Sequence, residues 1–179
     1  SYPAGIQSKA EQQVLSRLSR GGSDAAAELE SLLSSLPNDG DIRRGQRVFQ
    51  SAKAACSTCH AIGYLGGDLG PELSSIGKIR SSRDLLEAIV FPSASFVQSY
   101  EPVILTKTDG SALAGIVKDE GRDEILLAAG PGVNIPIDRK DVASIDPSPI
   151  SLMPPGMHSI LSKQELADLL SFLLSRKGK

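Results

Sequence analysis

Apolar residues recur at helical spacing along most of the chain and at strand spacing in one segment past its middle. Val14 and Leu18 share a helical face, flanked by Glu11, Arg17 and Arg20, until Gly21-Gly22 breaks the pattern. Ser23 or Asp24 can cap a second helix, with Leu29, Leu32, Leu33 and Leu36 as its stripe and Pro37-Asn38-Asp39-Gly40 as its stop. Asp41 caps the next helix, predicted from Ile42 to about Ala54, with Ile42, Gly45, Phe49 and Ala52 on one face. Glycine inside a helix costs about 1 kcal/mol against alanine. Gly45 on an apolar face therefore predicts another helix crossing closely. The candidate is the last one, where Ser162-Lys163-Gln164-Glu165 forms a capping box before Leu166, Leu169, Leu170, Leu173 and Leu174, with Phe172 beside them. Between these two, Ser81 or Ser82 caps a helix carrying Leu85, Leu86, Ile89 and Val90, stopped by Pro92.

The pattern changes over residues 101–149. Val103 to Leu105, Leu113 to Val117, Ile125 to Ala128, Val133 to Ile137 and Val142 to Ile145 read as short strands. Lys107-Thr108-Asp109-Gly110 is a hairpin signal and Gly130-Pro131-Gly132 a turn. Strands this short and closely spaced suggest a small closed or nearly closed barrel. Its nine acidic and five basic residues disfavour nucleic acid, whose phosphates want the opposite sign. A docking surface, a lid or a passive decoration fits equally.

Composition adds a soluble, globular expectation: net charge −2, 40% hydrophobic, four Phe, three Tyr and no Trp. No apolar run approaches a membrane span, no signal peptide is read, and Ser1 is expected to begin a mature or cut chain.

The chemistry concentrates in Cys56-Ser57-Thr58-Cys59-His60, which holds both cysteines and one of the two histidines. This is the attachment pattern of c-type haem: two thiols one turn apart can add to the two vinyl groups of one haem, with the adjacent histidine donating a ring nitrogen to iron. A thioredoxin-like site or half a zinc site shares the cysteine spacing. The first should follow a strand, whereas Gly45 to Ala55 reads as helix. The second needs about four ligands, and outside the motif only His158 remains of the Cys/His inventory.

With its Gly45-x-x-x-Phe49 helix, Cys56-x-x-Cys59-His60, a Pro-bearing loop, a Met-Pro loop and a terminal Leu-rich helix, the chain resembles class I cytochrome c. More narrowly, it resembles the haem-binding domain type seen in planctomycetes and verrucomicrobia. Gly70-Pro71-Glu72-Leu73, Phe91-Pro92-Ser93-Ala94 and Ser151-Leu152-Met153-Pro154-Pro155-Gly156 have counterparts there. The resemblance covers about residues 40–179. It implies a mainly α cytochrome c fold of haem-enclosing helices (40–100 and 150–179), within which the strand segment 101–149 reads as an inserted barrel-like β subdomain; the helical N-terminal extension (1–39) it leaves unaccounted for. Without the insertion, the separation of His60 and Met153 is ordinary for that family. The resemblance also places the Pro71 carbonyl as acceptor for the far ring N–H of His60. It implies one covalent haem c, lined by Leu73, Ile76, Phe91 and Leu152, with Tyr64 and Tyr100 as candidates to bond its propionates.

Met153, Met157 and His158 are the candidates for the second iron ligand. Met153 is favoured, because the following prolines hold its backbone extended and stiff and methionine is the usual partner of histidine in cytochromes c. With both axial positions filled, the expected activity is one-electron transfer, with no enzymatic role and no nucleic-acid partner. A haem enzyme or gas or redox sensor with a displaceable distal ligand is the alternative, and a structural module with an inherited haem a third. The resemblance further implies export, to a periplasm or beyond. It implies a redox protein partner, such as a fused or neighbouring dehydrogenase. Residues 40–100 and 150–179 each carry +2 against −4 for 101–149, an asymmetry able to orient such a partner.

Overall fold

The computed structural model describes residues 24–178. The helix expected around Val14 and Leu18 lies outside them. The chain forms two compact units, Ser1–Leu36 and Pro37–Lys179. In the first, residues 24–34 are helical (α1). The hydroxyls of Ser34 and Ser35 close its end by donating to the carbonyls of Ser31 and Leu32.

The second unit starts with α2 (Ile42–Gln50), whose Asp41 cap accepts from the Arg44 N–H at 2.7 Å. The helix stops short of the expected Ala54. Ser51 turns extended, its hydroxyl donating to the Val48 carbonyl and accepting from the Ala54 N–H. Of the expected face, Gly45 and Phe49 are buried, while Ile42 and Ala52 are exposed. A one-turn helix α3 (Cys56–Cys59) follows, then α4 (Ile76–Ile79) and α5 (Ser82–Val90). Ser81 and Asp84 form a full capping box on α5, which buries Leu85, Leu86, Ile89 and Val90. After the strands come α6 (Met157–Ile160) and α7 (Lys163–Leu174), the latter opened by the Ser162–Glu165 capping box.

Helices α2 and α7 cross at Gly45. A Cβ there would stand 1.9 Å from the Asp168 carbonyl oxygen and 2.7 Å from Phe172 Cβ, so only glycine permits the approach. The Phe49 and Phe172 rings pack at 5.6 Å beside the crossing. One charge is buried in it: the Asp168 carboxylate, 2% exposed. It accepts from the Asp41 N–H (2.7 Å), Arg44 Nε (2.7 Å) and Nη2 (2.8 Å), and Gln164 Nε2 (3.1 Å). The Arg44 hydrogen bond, more than any other influence, holds its pKa below the ordinary carboxylate value against the opposing effect of burial. Glu165, bonded to Lys53 and to the Ser162 cap, is held at about 2.

Strands β1 (Val103–Lys107), β2 (Ala112–Glu120), β3 (Glu124–Gly130), β4 (Val133–Asp138) and β5 (Val142–Pro147) pair antiparallel in the order β4-β3-β2-β1-β5. Each of the five expected strands is present, but the sheet ends on β4 and β5 as edges rather than closing. Pro136, which cannot donate to a ladder, sits on edge strand β4. Residues 112–115 of β2 pair with β1 and residues 116–120 with β3. Leu105, Ile125, Leu127 and Ile137 form the core of the sheet, with Val103, Leu113, Val117, Ile135, Val142 and Ile145 packed around them.

The mainly α cytochrome c fold of haem-enclosing helices is therefore corrected. With seven helices (36% helix) and a five-stranded antiparallel sheet (23% strand) among the described residues, this is an α+β fold. The physical reason is that the strands bury a core of their own and carry too much of the chain to be an ornament on a helical protein.

Two outcomes follow from the crossing. Gly45→Ala is expected to destabilise the chain by about 3 kcal/mol, the upper end for overpacking because the obstacle is backbone; urea unfolding measures it. A carboxylate with a depressed folded pKa contributes stability that is present at neutral pH and lost as pH falls through that pKa. Stability is thus expected to drop below the ordinary Asp range, and Asp168→Asn to be less stable at pH 7 with a shallower acid limb, read from urea midpoints at several pH values.

Candidate functional site

Ala55 enters α3 in the left-handed region (φ 51°), and the single turn that follows brings the two cysteines to i and i+3, one face of a helix. Both thiols are free and half-buried. Burial pushes Cys56 up to about 11, with a backbone hydrogen bond opposing it, and pushes Cys59 up as well. Protonated thiols are the reverse of a thioredoxin-like site, which works through a lowered pKa. Among the described residues no three His, Cys, Asp or Glu side chains gather as a metal cluster.

His60 leaves the turn extended, its N–H still bonded to the Cys56 carbonyl at 2.9 Å. Its Nδ1 lies 2.8 Å from the carbonyl oxygen of Pro71. A carbonyl only accepts, so Nδ1 carries the proton and Nε2 keeps its lone pair. Burial lowers the His60 pKa, with the Pro71 bond acting in the opposite sense.

The loop from Ala61 to Leu73 folds back over this turn. Gly67 N–H donates to the Ser57 carbonyl (2.9 Å), Gly70 N–H to Cys59 (2.8 Å) and Leu73 N–H to Ala61 (2.9 Å). A Cβ on Gly70 would stand 2.4 Å from His60 Cε1 and 2.7 Å from Nδ1. The bare Cα of Gly70 thus admits the histidine ring itself.

The sheet supplies another wall. Leu69, Ile116 of β2 and Ala128 of β3 form a buried cluster, against which Cys59, Tyr100 and Leu152 pack. Lys118 of β2 places its ammonium 5.0 Å over the Tyr100 ring and donates to the Asp68 carbonyl.

Of the expected site residues, the structure joins Cys59, Tyr100 and Leu152 in one cluster and His60 to Pro71. Cys56 shares the α3 turn with Cys59. Leu73, Ile76 and Phe91 are half-buried. Tyr64 is not gathered in: it stands 106% exposed on the loop closed by the Ile62–Leu65 bridge. Met153 is half-buried, its N–H donating to Ser151 Oγ at 3.1 Å, while Ser151 N–H donates to Ser93 Oγ at 3.0 Å and so joins the Met-Pro loop to the Phe-Pro loop. Met157 opens α6, and His158 in the same turn has a buried Nδ1 with no hydrogen-bond partner among the described residues. Leu69, Ile116, Lys118 and Ala128 escaped the sequence reading. For the three on strands the one signal was alternation, which marks a buried face without saying what it covers; Leu69, alone in a glycine-rich loop, had none.

The donor set fits a c-type haem. Two thiols share one turn, the adjacent imidazole has its tautomer fixed with Nε2 free, and a glycine lies where any side chain would displace that ring. No protein-family model matches the chain, and no curated protein matches it. Gly70→Ala is expected to push the imidazole off Pro71 and to cost about 1–3 kcal/mol, seen as altered ring nitrogen shifts of His60 by NMR and as a lower urea midpoint.

Proposed function

We propose that the chain is a c-type haem electron-transfer protein. The observation that carries this is the His60–Pro71 hydrogen bond beside two cysteines on one helical turn. Cys56 and Cys59 would hold the group by thioether bonds and His60 Nε2 would be the first axial donor. Met153, from a loop stiffened by two prolines, would be the second. Bound haem supplies a one-electron ferric/ferrous couple. The protein's part is to fix the His60 proton on Nδ1, which orients the ring and raises its basicity. Its apolar wall of Leu69, Ile116 and Ala128 packs against Cys59. A thioether ligand favours the ferrous state relative to a second histidine. Tyr100 and Leu152 pack on the same wall; Leu73, Ile76 and Phe91 complete the proposed lining.

The partner in this reading is another redox protein, a dehydrogenase fused to or neighbouring the chain. The setting is a periplasm or other exported compartment, where covalent haem attachment takes place. Among the described residues, no helix is long and apolar enough to cross a membrane. A haem enzyme or sensor has one observation in its favour, the unpartnered buried Nδ1 of His158. Rapid carbon monoxide binding by the reduced protein would select that reading.

The test is expression with haem-attachment machinery in an exporting bacterium. The native chain is expected to carry one haem that survives acid–acetone extraction. Cys56→Ala with Cys59→Ala is expected to lose it, and Met153→Ala to keep it while losing the weak near-infrared ferric band of methionine ligation. A colourless native chain would sink the proposal.

A further inference from the structure

Strand β2 carries one residue too many where it pairs with β3. Val117 faces Leu127 and Asp119 faces Leu126, which leaves Lys118 unmatched between them. Such a bulge bends the strand and re-aims the extra side chain. Here the re-aimed group is an ammonium. It lies 5.0 Å over the Tyr100 ring and donates to the Asp68 carbonyl. Both partners are uncharged, and among the described residues no carboxylate pairs with Lys118. Tyr100 and Leu69, next to Asp68, pack on the cluster that holds Cys59. The sheet segment 101–149 is acidic as a whole, yet its bulge sets an ammonium against Tyr100 and the Asp68 carbonyl, both beside the cluster on which Cys59 packs.

We infer that Lys118 sets the reduction potential of the proposed haem, its positive charge, free of a direct ion pair among the described residues, favouring the ferrous state. The inference rests on the haem-c reading. A positive charge beside an apolar wall acts through a lower effective dielectric than one in water, so it is felt more strongly. The ring and the carbonyl hold the ammonium in place, and among the described residues no carboxylate, that of Asp68 included, comes within ion-pair distance of it.

The test uses the full, haem-loaded chain with Lys118→Gln, which can still donate to the Asp68 carbonyl but is neutral, and Lys118→Arg, which keeps the charge. At a fixed ambient potential, Lys118→Gln is expected to lower the ferrous-to-ferric ratio at least threefold, about 28 mV at about 59 mV per tenfold for one electron. Lys118→Arg is expected to stay within 1.5-fold of the native ratio. Hydrogen exchange of the Gly70 amide in the reduced protein reports whether the overlying loop has moved, and is expected to stay within threefold in both variants. An unchanged ratio in Lys118→Gln overturns the inference, as does an equal shift in Lys118→Arg. A shift accompanied by more than tenfold faster Gly70 exchange also overturns it, because the effect would then belong to the loop. Failure of the native chain to take up haem is a different result, which removes the function proposed above and this inference with it.

Discussion

A buried carboxylate must find its donors or lose its charge, and Asp168 finds all of its own at the α2–α7 crossing. Arg44 grips it with two nitrogens, the Asp41 N–H at the start of α2 adds a third bond, and Gln164 a fourth. These donors come from both helices, so satisfying the charge also sets how α2 lies on α7. Gly45 lets the two backbones come close enough for this to happen. Since α2 runs through Ser51 and Ala54 into α3, the position of the cysteine turn is inherited from that crossing.

Within the site, the order of dependence runs from backbone to proton. The hydrogen bonds of Gly67 and Gly70 to the motif's own carbonyls place the loop, and the loop places the Pro71 carbonyl. That carbonyl decides which nitrogen of His60 is protonated. A single lone pair is thereby left free on Nε2, in a ring whose charged form burial disfavours. The half-buried thiols are protonated for the same reason. The motif is thus preset as a neutral donor set rather than as a charged redox pair.

Much of this was legible in the chain because it is local. The capping box at Ser162 and Glu165 follows from residue types at fixed spacing, as do the stripe of α5 and the turn at Cys56. Even the close crossing at Gly45 could be inferred, since a glycine on an apolar face needs a reason. What was not legible depends on which buried face meets which. Alternation located the strands but could not say that Ile116 and Ala128 would pack on Cys59. Nor could it show that β2 would carry its bulge at Lys118, because a bulge is a mismatch between two strands and neither strand records it alone. Nor does the place of Tyr64 beside the motif disclose the Ile62–Leu65 bridge, on whose loop it stands exposed.

The α+β architecture follows from the same contacts. Had residues 101–149 been a loop decoration, their length would matter little, since loop closure costs only slowly more as a loop grows. A decoration would not share a buried cluster with the motif. Ile116 and Ala128 are buried there together with Leu69, and Leu69 belongs to the loop that fixes His60. Opening that cluster would expose apolar surface on both the sheet and the loop at once. The sheet and the cysteine turn therefore hold each other in place, and the sheet's influence on the site passes through packing at Ile116 as well as through the charge of Lys118.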